Sequence, residues 1–225
     1  MSRRTRTTPR KRTTAARTRR IESDVARARI FDAATAEFAA HGFERASTNT
    51  IAAEAGVAKG LVFHYFGTKE ELYLAIIDRV GERLIAAYLA EAEWPADLFE
   101  RLYAFSLFKV RVFQNDPNGY AVLAAMVDAR GDLKERVLAR AVEVRKQVWP
   151  TLLAGVDTSR LRSGLTLEQA LETINVLSEG LEKQIIARIS TLPDRGQSSM
   201  EAIVHDVWKH FERLRDGLYH APAKR

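Results

Sequence analysis

Residues 59 to 66, KGLVFHYF, place one lysine and four consecutive rings within eight positions. A lysine ammonium can reach a phosphate, the polar tips of His64 and Tyr65 can bond to base edges, and the face of Phe63 can contact a thymine methyl group. No second histidine, cysteine or carboxylate lies at metal-ligand spacing from His64. These residue types indicate contact with nucleic acid, and they predict no metal site.

Three predicted helices position this segment, each with apolar residues three or four positions apart. They span Asp24 to His41 with Gly42 as the cap, Ser47 or Thr48 to Gly56, and Ala58 or Lys59 to Gly67. Thr68 then caps a longer fourth helix. Two short helices joined by a tight turn form a helix-turn-helix, whose second helix enters the major groove of DNA.

A small predicted core holds these helices together. Gly56 supplies the unusual backbone dihedral of the turn, and Gly60 lets the backbone of the third helix approach DNA closely. The apolar residues expected in this core are Ile51, Ala52, Ala55, Val57 and Val62.

The run from Ala46 to Leu72, ASTNTIAAEAGVAKGLVFHYFGTKEEL, resembles the TetR family of bacterial transcriptional regulators. The shared features are a capped Ile-Ala step, an Ala-Gly-Val turn, Lys-Gly, an aromatic cluster and a downstream Lys-Glu-x-Leu. The preceding EFAAHGFERAS also fits the first helix of that family. The resemblance implies a homodimer whose subunits each have an N-terminal DNA-binding domain and a helical C-terminal domain that dimerises and holds an effector.

The resemblance also implies a set of DNA-contacting residues. The family commonly has tyrosine at the position of Phe63. We therefore expect the Phe63 ring either to pack against the protein or to contact a thymine methyl group. Phe66 is expected in the core, and Lys69 either contacts a phosphate or is solvated. The implied DNA-contacting set is Ser47, Thr48, Lys59, Gly60, Leu61, Phe63, His64, Tyr65 and Lys69.

The formal net charge of +6 comes from the N-terminus. Residues 1 to 20 hold nine of the 35 basic residues and none of the 29 acidic ones, which leaves residues 21 to 225 with a net charge of −3. This tail has no apolar run, so we expect it to be disordered, either as a solvated extension or as an arm that binds phosphates. The absence of cysteine excludes disulfides, thiolate zinc sites and cysteine nucleophiles.

Helical periodicity continues to the C-terminus, so the predicted fold is all-α with about nine helices. The predicted domains are a disordered basic tail (1–22), a helix-turn-helix domain (23–68), a helical effector-binding and dimerisation domain (69–218) and a disordered end (219–225). Aromatic residues of the third part are either core or the wall of an effector pocket. The predicted pocket residues are Tyr103, Phe105, Phe108, Met126, Trp149, Asn175 and Glu179.

Two long apolar stripes lie near the C-terminus. They predict either a four-helix dimer interface or burial within one subunit. The predicted interface residues are Leu177, Leu181, Ile185, Ile189, Val207 and Phe211. His205 and His210, five positions apart, are expected to be structural.

These features predict a dimeric, ligand-responsive transcriptional regulator in the cytoplasm, a repressor that reads a pseudo-palindromic double-stranded operator. A small hydrophobic or amphipathic effector would release or modulate it. We expect no cofactor, no catalytic residue and no membrane segment, because the sequence lacks the common catalytic motifs and any long apolar run. The alternatives are an enzyme on this scaffold and an architectural DNA binder driven by the basic tail, which would show no preferred footprint.

Overall fold

A computed structural model describes residues 10–91, 93–189, 191–192, 194 and 196–220. Over these residues the chain forms nine α-helices and no β-strand, which confirms the predicted all-α fold. The chain divides into two compact units, Met1–Ile76 and Ile77–Arg225. The helices are α1 (Arg10–Arg45), α2 (Thr48–Glu54), α3 (Lys59–Phe66), α4 (Lys69–Leu89), α5 (Leu98–Asn115), α6 (Pro117–Ala124), α7 (Gly131–Leu153), α8 (Leu167–Ile189) and α9 (Met200–Leu218).

The N-terminal end differs from the prediction. Residues 10 to 22, expected to be disordered, form the first turns of α1. No glycine or proline occurs between Arg10 and His41, and alanine and arginine favour helix, so nothing in the sequence interrupts it. The backbone leaves helical geometry at Gly42, with φ 67°, where the helix was predicted to end. The remainder of the predicted tail, residues 1–9, lies outside the described residues.

The core of the N-terminal unit joins all four of its helices. The Phe31 ring meets the Phe66 ring edge-on at 4.9 Å, and the Phe38 ring meets that of Tyr73 at 5.0 Å. The Ser47 hydroxyl caps α2 by accepting from the Thr50 amide, at 3.3 Å. The two ring contacts hold α3 and α4 against α1, and the Ser47 cap fixes the start of α2. The fully buried members of this core include Ile30, Ala34, Phe38, Ile51, Ala52, Val62, Leu72 and Tyr73.

In the C-terminal unit, Asp97 begins α5 and ties it to a distant loop. One oxygen of its carboxylate accepts from the amides of Phe99 and Glu100, and the other accepts from Arg160 at 2.6 Å. Tyr219, expected in a disordered end, is buried, with its ring 5.3 Å from that of Phe99. The predicted disorder is therefore wrong at residue 219, and residues 221–225 lie outside the described residues.

Candidate functional site

The turn between α2 and α3 has the predicted geometry. Gly56 adopts φ 63°, and the amide of Val57 donates to the carbonyl of Ala52 at 3.0 Å. After this turn α3 begins at Lys59. The two helices therefore form a helix-turn-helix whose second helix is only eight residues long.

One face of α3 packs on the core and the other faces solvent. Val62 and Phe66, four positions apart, are buried. Lys59, Gly60 and His64 lie on the exposed side, together with Phe63, which is 37% exposed although it is a large apolar residue. The Lys59 ammonium lies 5.8 Å from the centre of the Phe63 ring, so this face presents a cation beside a π-face.

Nothing in the N-terminal unit requires glycine at position 60. Among the described residues, a Cβ atom built there would meet no atom within 4 Å apart from its chain neighbours and the backbone of its own helix, and the backbone conformation is not left-handed. The described part of the N-terminal unit therefore leaves open space for a side chain at position 60.

Tyr65 was predicted to point outward, but its side chain turns toward α1. Its hydroxyl donates to the Ser23 hydroxyl on α1 at 2.9 Å, and its side chain is half-buried. Successive helix residues are rotated by about 100°, so four consecutive rings cannot share one face. Phe63 and His64 therefore reach solvent, whereas Tyr65 and Phe66 pack toward α1.

The other predicted DNA-contacting residues already have partners in the domain. The Lys69 ammonium donates to the Glu44 carbonyl at 3.0 Å and lies 4.9 Å above the Phe43 ring. The Ser47 amide donates to Glu37 at 2.8 Å, in addition to the α2 cap. Like these two, Thr48 and Leu61 are half-buried. The structure thus brings all nine predicted residues to one region, and it exposes Lys59, Gly60, Phe63 and His64.

Two arginines of α1 beside α3 were missed by the sequence reasoning. The Arg27 guanidinium lies 5.6 Å and 5.7 Å from the centres of the Phe31 and Phe66 rings. The Arg29 Nη1 atom is 3.6 Å from where a Cβ on Gly56 would lie, next to the turn. Both arginines are exposed, and the sequence signal was the presence of basic residues on the helix that precedes the helix-turn-helix.

The C-terminal unit encloses a cavity of about 580 Å³. Of the seven predicted pocket residues, Phe105, Trp149, Asn175 and Glu179 line it. The other three, which do not line it, pack elsewhere. Tyr103 lies 4.7 Å from the Trp208 ring, Phe108 is buried beside Tyr88 and Trp94, and Met126 lies in the 3-10 turn Ala125–Asp128.

The walls of the cavity are mainly apolar and come mostly from α5, α7, α8 and α9. The hydroxyls of Ser106 and Ser178 donate to carbonyls of their own helices, so they add little polarity to the wall. The exposed lining residues Ala141 and Arg145 of α7, and Asn175 and Glu179 of α8, mark an opening between these helices. The other lining residues include Leu102, Val110, Phe113, Val148, Leu152, Ile174, Ile203, Val204 and Trp208.

The predicted dimer-interface residues form an internal stripe. Leu181 and Phe211 are buried in one core with Leu98 and Phe99, and Leu177 and Val207 pack against it. Ile185 lines the cavity, and the side chain of Ile189 lies outside the described residues. Helical spacing predicts that one face is buried, but it does not tell whether the same subunit or a second one covers that face. The outward face of α8 instead carries Val176, which is 69% exposed.

Two negative findings apply to the part of the chain that the structure describes. It contains no group of three or more His, Asp or Glu side chains that could hold a metal ion. Within the same residues, no helix has both the length and the apolar character needed to cross a membrane.

Comparison with known proteins agrees with the geometry of the N-terminal unit. Residues 30–76 match the family described as bacterial regulatory proteins, tetR family. The HTH-type transcriptional repressor Rv3405c of Mycobacterium tuberculosis is 45% identical over 74 residues, 33% of this chain and 38% of that protein. The HTH-type transcriptional repressor AcnR of Corynebacterium efficiens is 27% identical over 177 residues, 73% of this chain and 84% of that protein. The N-terminal unit of this chain therefore matches the TetR family.

Solved structures of TetR-family regulators share the fold of this chain. The fatty acid degradation regulator FadR of Bacillus halodurans has a TM-score of 0.57 at 21% identity, covering 84% of this chain and 98% of that one. FadR of Bacillus subtilis, in complex with stearoyl-CoA, has a TM-score of 0.52 at 18% identity, covering 85% and 98%. The chain spans only 38% of the length of the mycobacterial relative, so the close sequence likeness covers the DNA-binding unit. The Mycobacterium tuberculosis and Corynebacterium efficiens relatives are both named as transcriptional repressors.

Proposed function

We propose that this TetR-family chain is a transcriptional repressor whose α3 enters the major groove of DNA. The observation that carries the proposal is the outward face of α3, where Lys59, Gly60, Phe63 and His64 are exposed while Val62 and Phe66 anchor the opposite face. A short helix held rigidly on one side and free on the other is the arrangement that places side chains against base edges. The relatives named as repressors support the sign of regulation.

The functional unit that we infer is a homodimer. The outward face of α8 contains Val176, which is 69% exposed, and Gly180, where a Cβ would meet none of the described atoms within 4 Å beyond its own helix turn. A small residue beside an exposed apolar one allows two helices to approach closely. A two-fold dimer would read a pseudo-palindromic operator with half-sites on the order of 34 to 36 Å apart.

The cavity of the C-terminal unit is the inferred effector site. Its volume of about 580 Å³ lies within the range of small-molecule sites, roughly 300 to 1,000 Å³. Mainly apolar walls with an opening flanked by Arg145, Asn175 and Glu179 suit a hydrophobic or amphipathic molecule. The stearoyl-CoA bound by the Bacillus subtilis neighbour is such a molecule. The effector would act by binding more tightly to the conformation that does not fit the operator, in the cytoplasm where bacterial DNA lies.

Selection of random duplex DNA by the purified chain tests the proposal. We expect enrichment of a palindromic sequence at about 150 mM salt, where non-specific counterion effects no longer dominate. Scattering and sedimentation on the same sample should give a two-chain species. A sample that enriches no sequence at this salt concentration would contradict the proposal and favour a sequence-indifferent architectural binder.

A further inference from the structure

The excess positive charge of the chain lies at the start of α1 and in the residues before it. Residues 1 to 20 hold nine basic residues and no acidic one, and the rest of the sequence carries more acidic than basic residues. Residues 10 to 20, which are helical, extend α1 by about 16 Å at 1.5 Å per residue. Six of the nine basic residues belong to this segment: Arg10, Lys11, Arg12, Arg17, Arg19 and Arg20.

Contacts between α1 and α3 fix the point from which this segment extends. The Tyr65 hydroxyl of α3 donates to the Ser23 hydroxyl of α1 at 2.9 Å, and the Arg27 guanidinium lies 5.7 Å from the Phe66 ring. Arg20 precedes Ser23 by three residues, so it lies about one turn further along the same side of α1. The basic segment therefore begins beside the helix that carries the exposed Lys59 and His64.

Further exposed charges follow along α1. Arg20, Arg27 and Arg29 are exposed, with the exposed acids Glu22 and Asp24 between them. The cations thus outnumber the acids on this part of α1, and the excess grows toward the N-terminus, where residues 10 to 20 contain no acid. A surface of this kind is complementary to a polyanion. Because it begins beside α3, the polyanion expected to contact it is the DNA that α3 would bind.

We propose that residues 10 to 20 of α1 form a second DNA-contacting element, which neutralises backbone phosphates flanking the bases that α3 reads. This inference rests on the proposed function, because it assumes that α3 occupies the major groove. Phosphate contacts of this kind hold the protein in register and strengthen binding to every sequence, but they carry no sequence information. The segment would therefore set affinity and salt dependence, whereas α3 would set specificity.

The test compares three full-length proteins on the selected operator and on a random duplex of equal length. The first is the unchanged chain, and the second carries Arg17→Gln, Arg19→Gln and Arg20→Gln, since glutamine removes charge while keeping helix propensity. The matched control carries Arg130→Gln, Lys134→Gln and Lys146→Gln, three exposed cations of the C-terminal unit. Fluorescence anisotropy from 75 to 300 mM salt gives the affinity and the slope of log K against log salt.

We expect the Arg17, Arg19 and Arg20 variant to bind both duplexes roughly 10- to 100-fold more weakly, with a slope shallower by about 0.9 for each lost phosphate contact, or up to about 2.7. The ratio of operator to random affinity should stay the same, and the control should match the unchanged chain. Ethylation of phosphates just outside the enriched sequence should impair the unchanged chain and not the variant.

Unchanged affinity and slope in the variant would overturn the inference, even where the selection yields an operator. Binding of the unchanged chain to phosphatidylserine vesicles, lost in the variant while DNA binding persists, would overturn it as well and assign the segment to membranes. A selection that enriches nothing refutes the proposed function separately. In that case the salt slope on random duplex still decides whether the segment binds phosphates.

Discussion

Substituting Gly60 by alanine is expected to change folding stability and DNA binding in opposite directions. Gly60 lies in the first turn of α3 and is exposed, and a methyl group added to it would meet no atom of the described residues within 4 Å beyond its own helix turn. Its backbone conformation is one that alanine adopts without strain. Because alanine restricts the unfolded chain, the substitution should stabilise the N-terminal unit by about 0.4 to 1 kcal/mol.

The same methyl group would project into the space that DNA occupies in the proposed complex. An extra methyl group in a close-packed contact costs about 1 to 3 kcal/mol. At about 1.4 kcal/mol per factor of ten, operator affinity should fall roughly 5- to 150-fold. A residue that only supports folding could not combine greater stability with weaker binding.

Urea denaturation and anisotropy on the selected operator measure the two effects in the same preparation. The control is Gly217→Ala in α9, an exposed helical glycine where an added Cβ would likewise meet no described atom within 4 Å beyond its own helix turn. It should gain similar stability and keep full affinity. Operator affinity within twofold of the unchanged chain for Gly60→Ala would refute the claim that the backbone at Gly60 approaches DNA.

Three further perturbations test other contacts. Tyr65→Phe removes the hydrogen bond to Ser23, so it should lower the free energy of unfolding, measured in urea, by about 0.5 to 1.5 kcal/mol. It should leave operator preference unchanged. A changed preference would mean that the hydroxyl reads DNA. Arg101→Met should destabilise the C-terminal unit by about 2 to 4 kcal/mol, because the buried guanidinium donates to four main-chain carbonyls. A loss of stability below about 1 kcal/mol would contradict this role of Arg101. Burial, and then the Asp97 carboxylate, raises the pKa of Tyr219 from 10.0 to about 12, so its contribution to stability should be complete below pH 10 and be lost between pH 10 and about 12. Tyr219→Phe should flatten that decline, and an unchanged pH profile would contradict the assignment.

The helix-turn-helix could be predicted because its constraints are local. Gly56 must adopt a positive φ, and residues such as Ile51 and Val62 must be apolar to hold two short helices on a third. These requirements fall within a few turns of one another, so spacing alone reveals them. The orientation of Tyr65 could not be predicted in the same way, because it depends on Ser23, which is 42 residues away in the sequence.

The C-terminal half was less predictable for a related reason. The apolar stripes that include Leu181 and Phe211 show that one face of each helix is buried. The spacing of apolar residues is the same whether α5 or a second subunit packs against that face. The aromatic residues behave likewise, since Phe105 lines the cavity whereas Phe108, three residues later, lies in the core beside Tyr88. Tertiary packing, and not local preference, decides between a wall and a core position.

The proposed function requires that the exposed face of α3 reads DNA sequence. The ratio of dissociation constants for random and selected duplexes tests this, measured at about 150 mM salt for the unchanged chain, Lys59→Ala and the exposed-surface control Lys134→Ala. We predict that Lys59→Ala lowers this ratio while Lys134→Ala keeps it. An equal loss of affinity for both duplexes in Lys59→Ala would contradict a reading role for Lys59 and leave it only a phosphate contact.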